Sequence, residues 1–243
     1  MQAEVDLRGC TALISGASRG IGRAIAVALA KEGCNVAGMA RSVEALRTAM
    51  KECEAFGVKT LALPMDLAGA SHDSLGAAID RCVKELGGLD ILVNNAGVLG
   101  RTDSSLEEWE KCIEVDLLGV LRVTKLALPH LESSSRRKAI INIGSVSGIL
   151  KMGGSAPYCA AKHGVVGFTG SLFESVRKNG IKMCCINPGF VNTDMVQSDS
   201  LDSSKMVQPE DVALTALFVI KFPETACPTE IELRPQRTPY IKE

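Results

Sequence analysis

Cys10-Thr11-Ala12-Leu13-Ile14-Ser15-Gly16-Ala17-Ser18-Arg19-Gly20-Ile21-Gly22-Arg23-Ala24-Ile25-Ala26 begins as a short apolar run and ends as a helical pattern. The first six residues read as a buried strand, and the apolar spacing from Gly20 onward predicts a helix over 20–32. Glycines at 16, 20 and 22 mark the junction between them. Glycine lets a backbone approach a pyrophosphate closely, and a helix N-terminus offers free N–H groups and the positive end of its dipole. The spacing is GxxxGxG, not the GxGxxG of the commonest dinucleotide fingerprint. Taken alone, it fits a tight turn of small residues as well as it fits a phosphate cradle.

The strand–helix alternation continues along the chain. Helical patterns over 20–32, 43–56, 72–86, 106–132, 157–178 and 209–221 alternate with strands over 10–15, 34–40, 59–65, 89–94, 138–144, 181–187 and 229–233. Alternation of this kind predicts a parallel sheet covered by helices on both faces and joined by right-handed crossovers. The length of 243 residues suits one α/β domain over 1–243, with no repeat, linker or low-complexity tract to divide it.

In such sheets ligands bind at the carboxyl ends of the strands. Here those ends carry Asp66-Leu67, Asn94-Asn95-Ala96-Gly97, Gly144-Ser145-Val146-Ser147-Gly148 and Asn187-Pro188-Gly189. Tyr158 and Lys162 lie four apart in Pro157-Tyr158-Cys159-Ala160-Ala161-Lys162, which on a helix sets phenol and ammonium on one face. A nearby ammonium favours the phenolate, so the pair predicts a tyrosine titrating below its usual value of about 10. Such a tyrosine exchanges a proton with a carbonyl oxygen near neutral pH. Tyrosine and lysine fall at this spacing by chance in many helices, and the other strand-end residues are what give the pair weight.

Taken together in their order and spacing, the glycine motif, Asp66, Asn94-Asn95-Ala96-Gly97, Ser145, Tyr158, Lys162 and Pro188-Gly189 resemble the classical short-chain dehydrogenase/reductase family, from about Leu7 to about Met195. The resemblance implies a single-domain Rossmann-type fold, a doubly wound parallel seven-stranded sheet with helices on both faces. It also implies hydride transfer between a nicotinamide and a carbonyl or secondary alcohol. Under it, Ser145 would hydrogen-bond the substrate oxygen, while Tyr158 would be the acid in reduction and the base in oxidation. Lys162 would lower the tyrosine pKa and bind the nicotinamide ribose. Gly16, Ser18, Arg19, Gly20, Ile21 and Gly22 would form the phosphate loop, and Asp66 and Leu67 would frame the adenine. Asn95, Ala96 and Gly97 would pack against the cofactor. Pro188 and Gly189 lead into Val191 and Thr193, which would hold the carboxamide.

The second strand ends Met39-Ala40-Arg41-Ser42, without the acidic residue that would hold the ribose hydroxyls of NAD and repel a 2′-phosphate. Arg41, beside Ser42, and Arg19 from the glycine loop supply two guanidinium groups whose geometry suits one phosphate. Two surface arginines would account for the same residues, but the missing carboxylate selects NADP(H).

One position departs from the family. In Glu114-Val115-Asp116-Leu117-Leu118-Gly119 the family usually has asparagine where Asp116 stands, holding open a helix irregularity and ordering a water behind the lysine. Asp116 therefore joins Ser145, Tyr158 and Lys162 in the candidate catalytic set. Its carboxylate either supports the same water or pairs with Lys162 and weakens the effect on Tyr158.

A net charge of −1 leaves no basic footprint for nucleic acid, and Arg136-Arg137-Lys138 reads as a solvated loop. No apolar run reaches membrane-spanning length, and the start lacks a signal-peptide pattern. The expected compartment is the cytoplasm, with a removed organelle transit peptide compatible with the same sequence. The nine cysteines show no ligand spacing, Cys184 and Cys185 point to opposite faces of a strand, and the three histidines are scattered. Buried free thiols and no metal are expected.

The serine-rich stretch Asp194–Val207 reads as a mobile lid over a small substrate. The ending Pro228-Thr229-Glu230-Ile231-Glu232-Leu233-Arg234-Pro235-Gln236 resembles NADP-dependent 3-hydroxy acid dehydrogenases and broad carbonyl reductases; 3-oxoacyl-carrier-protein reductase is the alternative. An NADPH-binding sensor or structural protein with little turnover is a second alternative, invited by Asp116. Apolar residues on 106–132 and 157–178 exceed one core-facing stripe, so a homodimer or homotetramer is expected.

Overall fold

β1 (Thr11–Ser15) is buried at every residue and pairs in parallel with β2 (Asn35–Ala40) on one side and β4 (Ile91–Asn94) on the other. In the computed structural model, which describes residues 5–196 and 198–241, this strand lies third from one edge of a seven-stranded sheet, next to its central strand β4. The sheet order is β3-β2-β1-β4-β5-β6-β7, with β3 (Thr60–Pro64), β5 (Ala139–Ile143), β6 (Lys182–Pro188) and β7 (Glu230–Leu233), and every pairing is parallel. Strand order reverses between β1 and β4, which opens a crevice at their carboxyl ends.

The period-two alternation of the strands divides the core into two layers. Ala12, Ile14, Val36, Ile91, Val93, Ile141 and Cys184 face one side, against α1 (Gly20–Lys31), α2 (Val43–Glu54) and α7 (Pro209–Lys221). Leu13, Ala37, Leu92, Ile140 and Met183 face the other, against α3 (His72–Leu86) and α5 (Gly119–Ser133). Cys184 and Cys185 do point to opposite faces, the latter joining Val120 of α5 and Val165 of α6 (Ala156–Val176). Each Leu or Ile buried in these layers contributes about 1.5–3 kcal/mol. Only β7, at the edge, keeps exposed residues alternating with half-buried ones.

The helices start where the sequence supplies caps. Ser71 accepts the Ser74 amide at the head of α3. Ser105 and Glu108 form a capping box at the head of α4 (Leu106–Ile113). The expected helix over 106–132 is interrupted: α4 passes into one π turn, Glu114–Leu118, before α5 begins. Asp116 sits in the middle of that turn. Such single π turns recur at functional sites.

Candidate active site

A cleft of roughly 1360 Å³ runs across the carboxyl ends of the central strands. Its floor starts at the glycine loop. Gly16 has φ of 68°, and a Cβ there would lie 2.8 Å from Asn95 Nδ2. A Cβ on Gly22 would lie 2.3 Å from the Gly16 carbonyl oxygen. Asn95 ties this loop down, donating from Nδ2 to the carbonyls of Ser15 at 3.1 Å and Gly16 at 3.2 Å. The first turn of α1 contains no acidic residue, and Arg19 at its N-cap position makes no side-chain cap. The free N–H groups and dipole of a twelve-residue helix therefore open onto the cleft, a site that fits a pyrophosphate.

The sequence-predicted residues converge on this one cleft. Gly16, Ser18, Arg19, Gly20, Ile21, Arg41, Ser42, Asp66, Leu67, Asn95, Ala96, Gly97, Asp116, Ser145, Tyr158, Lys162, Pro188, Gly189, Val191 and Thr193 all line it. Gly22 does not; it is buried beneath the loop, where it lets α1 approach Gly16. Arg19 and Arg41 both reach the cleft, and Arg19 is held by an ion pair of 2.9 Å to Asp194 on the segment after β6.

The reactive end is built from β5, α6 and the π turn. Ser145 follows β5; its amide donates to Asn187 Oδ1 at 3.2 Å, and its Oγ accepts the Ser147 amide at 3.1 Å. Lys162 is 3% exposed. Its Nζ donates to the Ile143 carbonyl at 3.0 Å, lies 3.3 Å from Asp116 Oδ2, and stands 5.4 Å from the centre of the Tyr158 ring. Burial lowers the Lys162 pKa, but the anions of Asp116 and Tyr158 outweigh it and the net direction is up. Burial pushes the Asp116 carboxyl up, opposed by Lys162 and the Val98 amide.

For Tyr158 the outcome differs from expectation. Protein packed around the phenol pushes its pKa up, Lys162 and Ser145 pull it down, and Asp116 pushes it up again; the net direction is up. Burial is the largest of these effects; the pull of Lys162 comes next, and the Asp116 carboxylate offsets part of that pull.

Several positioning residues lie outside the expected site set. Asn94 Nδ2 donates to Thr124 Oγ1 at 2.9 Å and Asn142 Oδ1 at 2.8 Å, and Asn142 Nδ2 donates to Thr169 Oγ1 at 2.9 Å. This buried chain links β4 and β5 to α5 and α6 behind the site. The signal was present as asparagines inside apolar strands, where an unpaired amide would cost about 1–3 kcal/mol.

The segment expected as a mobile lid is tied at several points; its Gln197 lies outside the described residues. Val191 bridges Val207 at its base, and Leu201 bridges Tyr240 of the C-terminal segment. Asp202 N donates to the Pro239 carbonyl at 2.7 Å and Ile241 N to that of Ser200 at 3.0 Å, while the Phe190 and Tyr240 rings meet edge-on at 5.7 Å. Backbone bonds with no local signature in the sequence hold the described residues of the segment in place.

Comparison with known proteins identifies relatives over most of the chain. The family model described as short chain dehydrogenase matches residues 10–204. The chain is 39% identical over 225 residues to 3-oxoacyl-(acyl-carrier-protein) reductase FabG of Staphylococcus aureus strain Mu50, covering 86% of this chain and 89% of that one. It is also 39% identical over 203 residues to the Escherichia coli K12 protein of the same name, covering 82% and 80%. Among solved structures, carveol dehydrogenase from Mycobacterium avium in complex with NAD superposes with a TM-score of 0.87 at 26% identity, covering 94% of this chain and 97% of that one.

Proposed function

The chain belongs to the short-chain dehydrogenase family, and from that premise we propose that it is an NADP(H)-dependent oxidoreductase acting on a small carbonyl or 3-hydroxy acid substrate. The observation that carries the reading is Lys162 held at 3.0 Å on the Ile143 carbonyl, with its ammonium 5.4 Å from the Tyr158 ring, beside Ser145 in one cleft.

The chemistry divides simply. The glycine loop and the residues at the carboxyl ends of β1 and β4 would hold a nicotinamide cofactor, which would supply or accept the hydride. Everything else falls to the chain's own side chains. Ser145 Oγ hydrogen-bonds the substrate oxygen and fixes its distance from Tyr158. In reduction Tyr158 donates its phenolic proton to that oxygen, and in oxidation it removes it. Lys162 carries the positive charge that compensates the phenolate.

NADP(H) is favoured over NAD(H) by Ala40 at the end of β2, where no carboxylate stands, and by Arg19 and Arg41 on the same cleft. A homo-oligomer is supported by Leu117, Leu118, Leu121, Val166, Phe168 and Leu172, which stay only partly buried on α6 and on the π turn and helix that follow α4. A reducing compartment such as the cytosol suits nine free cysteines.

A second reading, 3-oxoacyl-(acyl-carrier-protein) reductase, is favoured by the relatives of that name at 39% identity. Oxidation of NADPH and NADH should be followed against an acetoacetyl thioester, a 3-oxo acid semialdehyde and small ketones and aldehydes. Preference for the thioester would select the second reading. Cofactor quenching of Trp109 fluorescence without turnover on any carbonyl would overturn both in favour of a binding protein.

A further inference from the structure

Asp116 is fully buried in the middle of the π turn between α4 and α5. Oδ1 accepts the Val98 amide at 2.7 Å, which locks the carboxylate to the loop after β4. Oδ2 receives no hydrogen bond within the described residues, and the cation beside it is Lys162 Nζ at 3.3 Å. A Cβ on Gly97 would stand 2.8 Å from Oδ2, so the loop leaves room for this oxygen only because residue 97 lacks a side chain. On its far side the ammonium donates to the Ile143 carbonyl. Lys162 is thus gripped from two sides by protein groups before any ligand is considered.

The charges around the phenol are few. Tyr158 and Lys162 come from α6, Asp116 from the π turn, Cys112 from α4, Cys185 from β6, and the uncharged Ser145 from the loop after β5. Burial holds the thiol of Cys112 near 12 and that of Cys185 near 11, so both are neutral at working pH. Among these groups Asp116 supplies the only carboxylate. A lone ammonium strongly favours a neighbouring phenolate, and a neutral carboxylate–ammonium pair does so far less.

We propose that Asp116 is a positioning residue that takes Lys162 as its ion-pair partner, fixing where the ammonium stands and offsetting part of the field it exerts on Tyr158. The proposal rests on Tyr158 and Lys162 being the proton-transfer pair. It means that this chain runs its proton transfer with a damped lysine, and that the damping resides in one buried oxygen.

The chain has two tyrosines, Tyr158 and Tyr240, so tyrosinate absorbance in a Tyr240→Phe background reads Tyr158 alone. The titration is made by rapid pH jump, ahead of any alkaline unfolding, and needs neither substrate nor cofactor. It therefore stands or falls apart from the carbonyl panel. Asp116→Asn keeps the shape and removes the charge; the Tyr158 midpoint should fall by about one pH unit or more. The acid limb of alcohol oxidation should move the same way, raising the rate near neutrality by about tenfold. Asp116→Glu, which keeps the charge, should titrate like the parent. Circular dichroism checks that each variant folds. An unmoved or raised midpoint in the Asn variant, or an equal fall in the Glu variant, would overturn the proposal.

Discussion

Arg19 Nη1 lies 2.9 Å from Asp194 Oδ2, an ion pair that joins the glycine loop to the segment after β6 across the mouth of the cleft. Both partners are more than half exposed, and such pairs contribute only about 0–1 kcal/mol. A 2′-phosphate carries more charge than Asp194 and can take Arg19 from it. Asp194→Asn should therefore lower the KM for NADPH by up to about fivefold, within that same energy range. Arg19→Ala or Arg41→Ala should raise it roughly ten- to a hundredfold, the value of one charge-assisted hydrogen bond. The KM for NADH is the control: equal changes in both cofactors would sink the assignment of these arginines to the phosphate.

Tyr158→Phe removes the only proton the proposed mechanism moves and leaves the ring in place. The expected loss in kcat is roughly 10²- to 10⁴-fold, the usual contribution of a positioned acid or base. NADPH binding, read by quenching of Trp109, should be retained. Turnover within tenfold of the parent would show that the proton comes from elsewhere.

Much of this was legible in the sequence because it is local. The strand–turn–helix at 10–26 and the four-residue spacing of Tyr158 and Lys162 are patterns of near neighbours. The π turn left no local pattern: a single wide turn shifts the helical register little and has no composition of its own, so 106–132 reads as one helix, and only the family resemblance at Asp116 pointed to an irregularity there. Asn187 and Asn142 look like turn residues, yet both are fully buried in strands, with partners contributed by distant segments. The Arg19–Asp194 pair spans 175 positions. The C-terminal segment is interrupted by Pro235 and Pro239, reads as a tail, and acquires meaning only through its bridge to Leu201.

That bridge gives a test of loop order. Tyr240→Ala removes the edge-on contact with Phe190, worth about 0.5–1.5 kcal/mol beyond its buried area. The amides of Asp202 and Ile241, which bond to Pro239 and Ser200, should exchange with deuterium several-fold faster. The amides of β1 should be unaffected. Unchanged protection at Asp202 would mean that the backbone bonds alone hold the segment.

The buried thiols set the alkaline limit of the fold. Burial raises Cys53 and Cys185 to about 11 and Cys82 and Cys112 to about 12, from an ordinary value of 9.0. Between those values the unfolded chain loses protons that the folded chain keeps, so stability falls as pH rises above 9.0. Each thiol removes about 1.4 kcal/mol per pH unit in that window. Lys162, also raised, adds stability that is present below the unfolded lysine value and lost only as pH passes its higher folded value. The urea midpoint should be level from pH 7 to 8 and drop steeply between 9 and 10.5, since a domain holds only about 5–15 kcal/mol in all. Cys82→Ala should make that slope shallower by about 1.4 kcal/mol per pH unit while costing some stability at pH 7 through lost packing. A midpoint that stays level through pH 10 would mean that these thiols ionise as readily in the folded protein as in the unfolded chain.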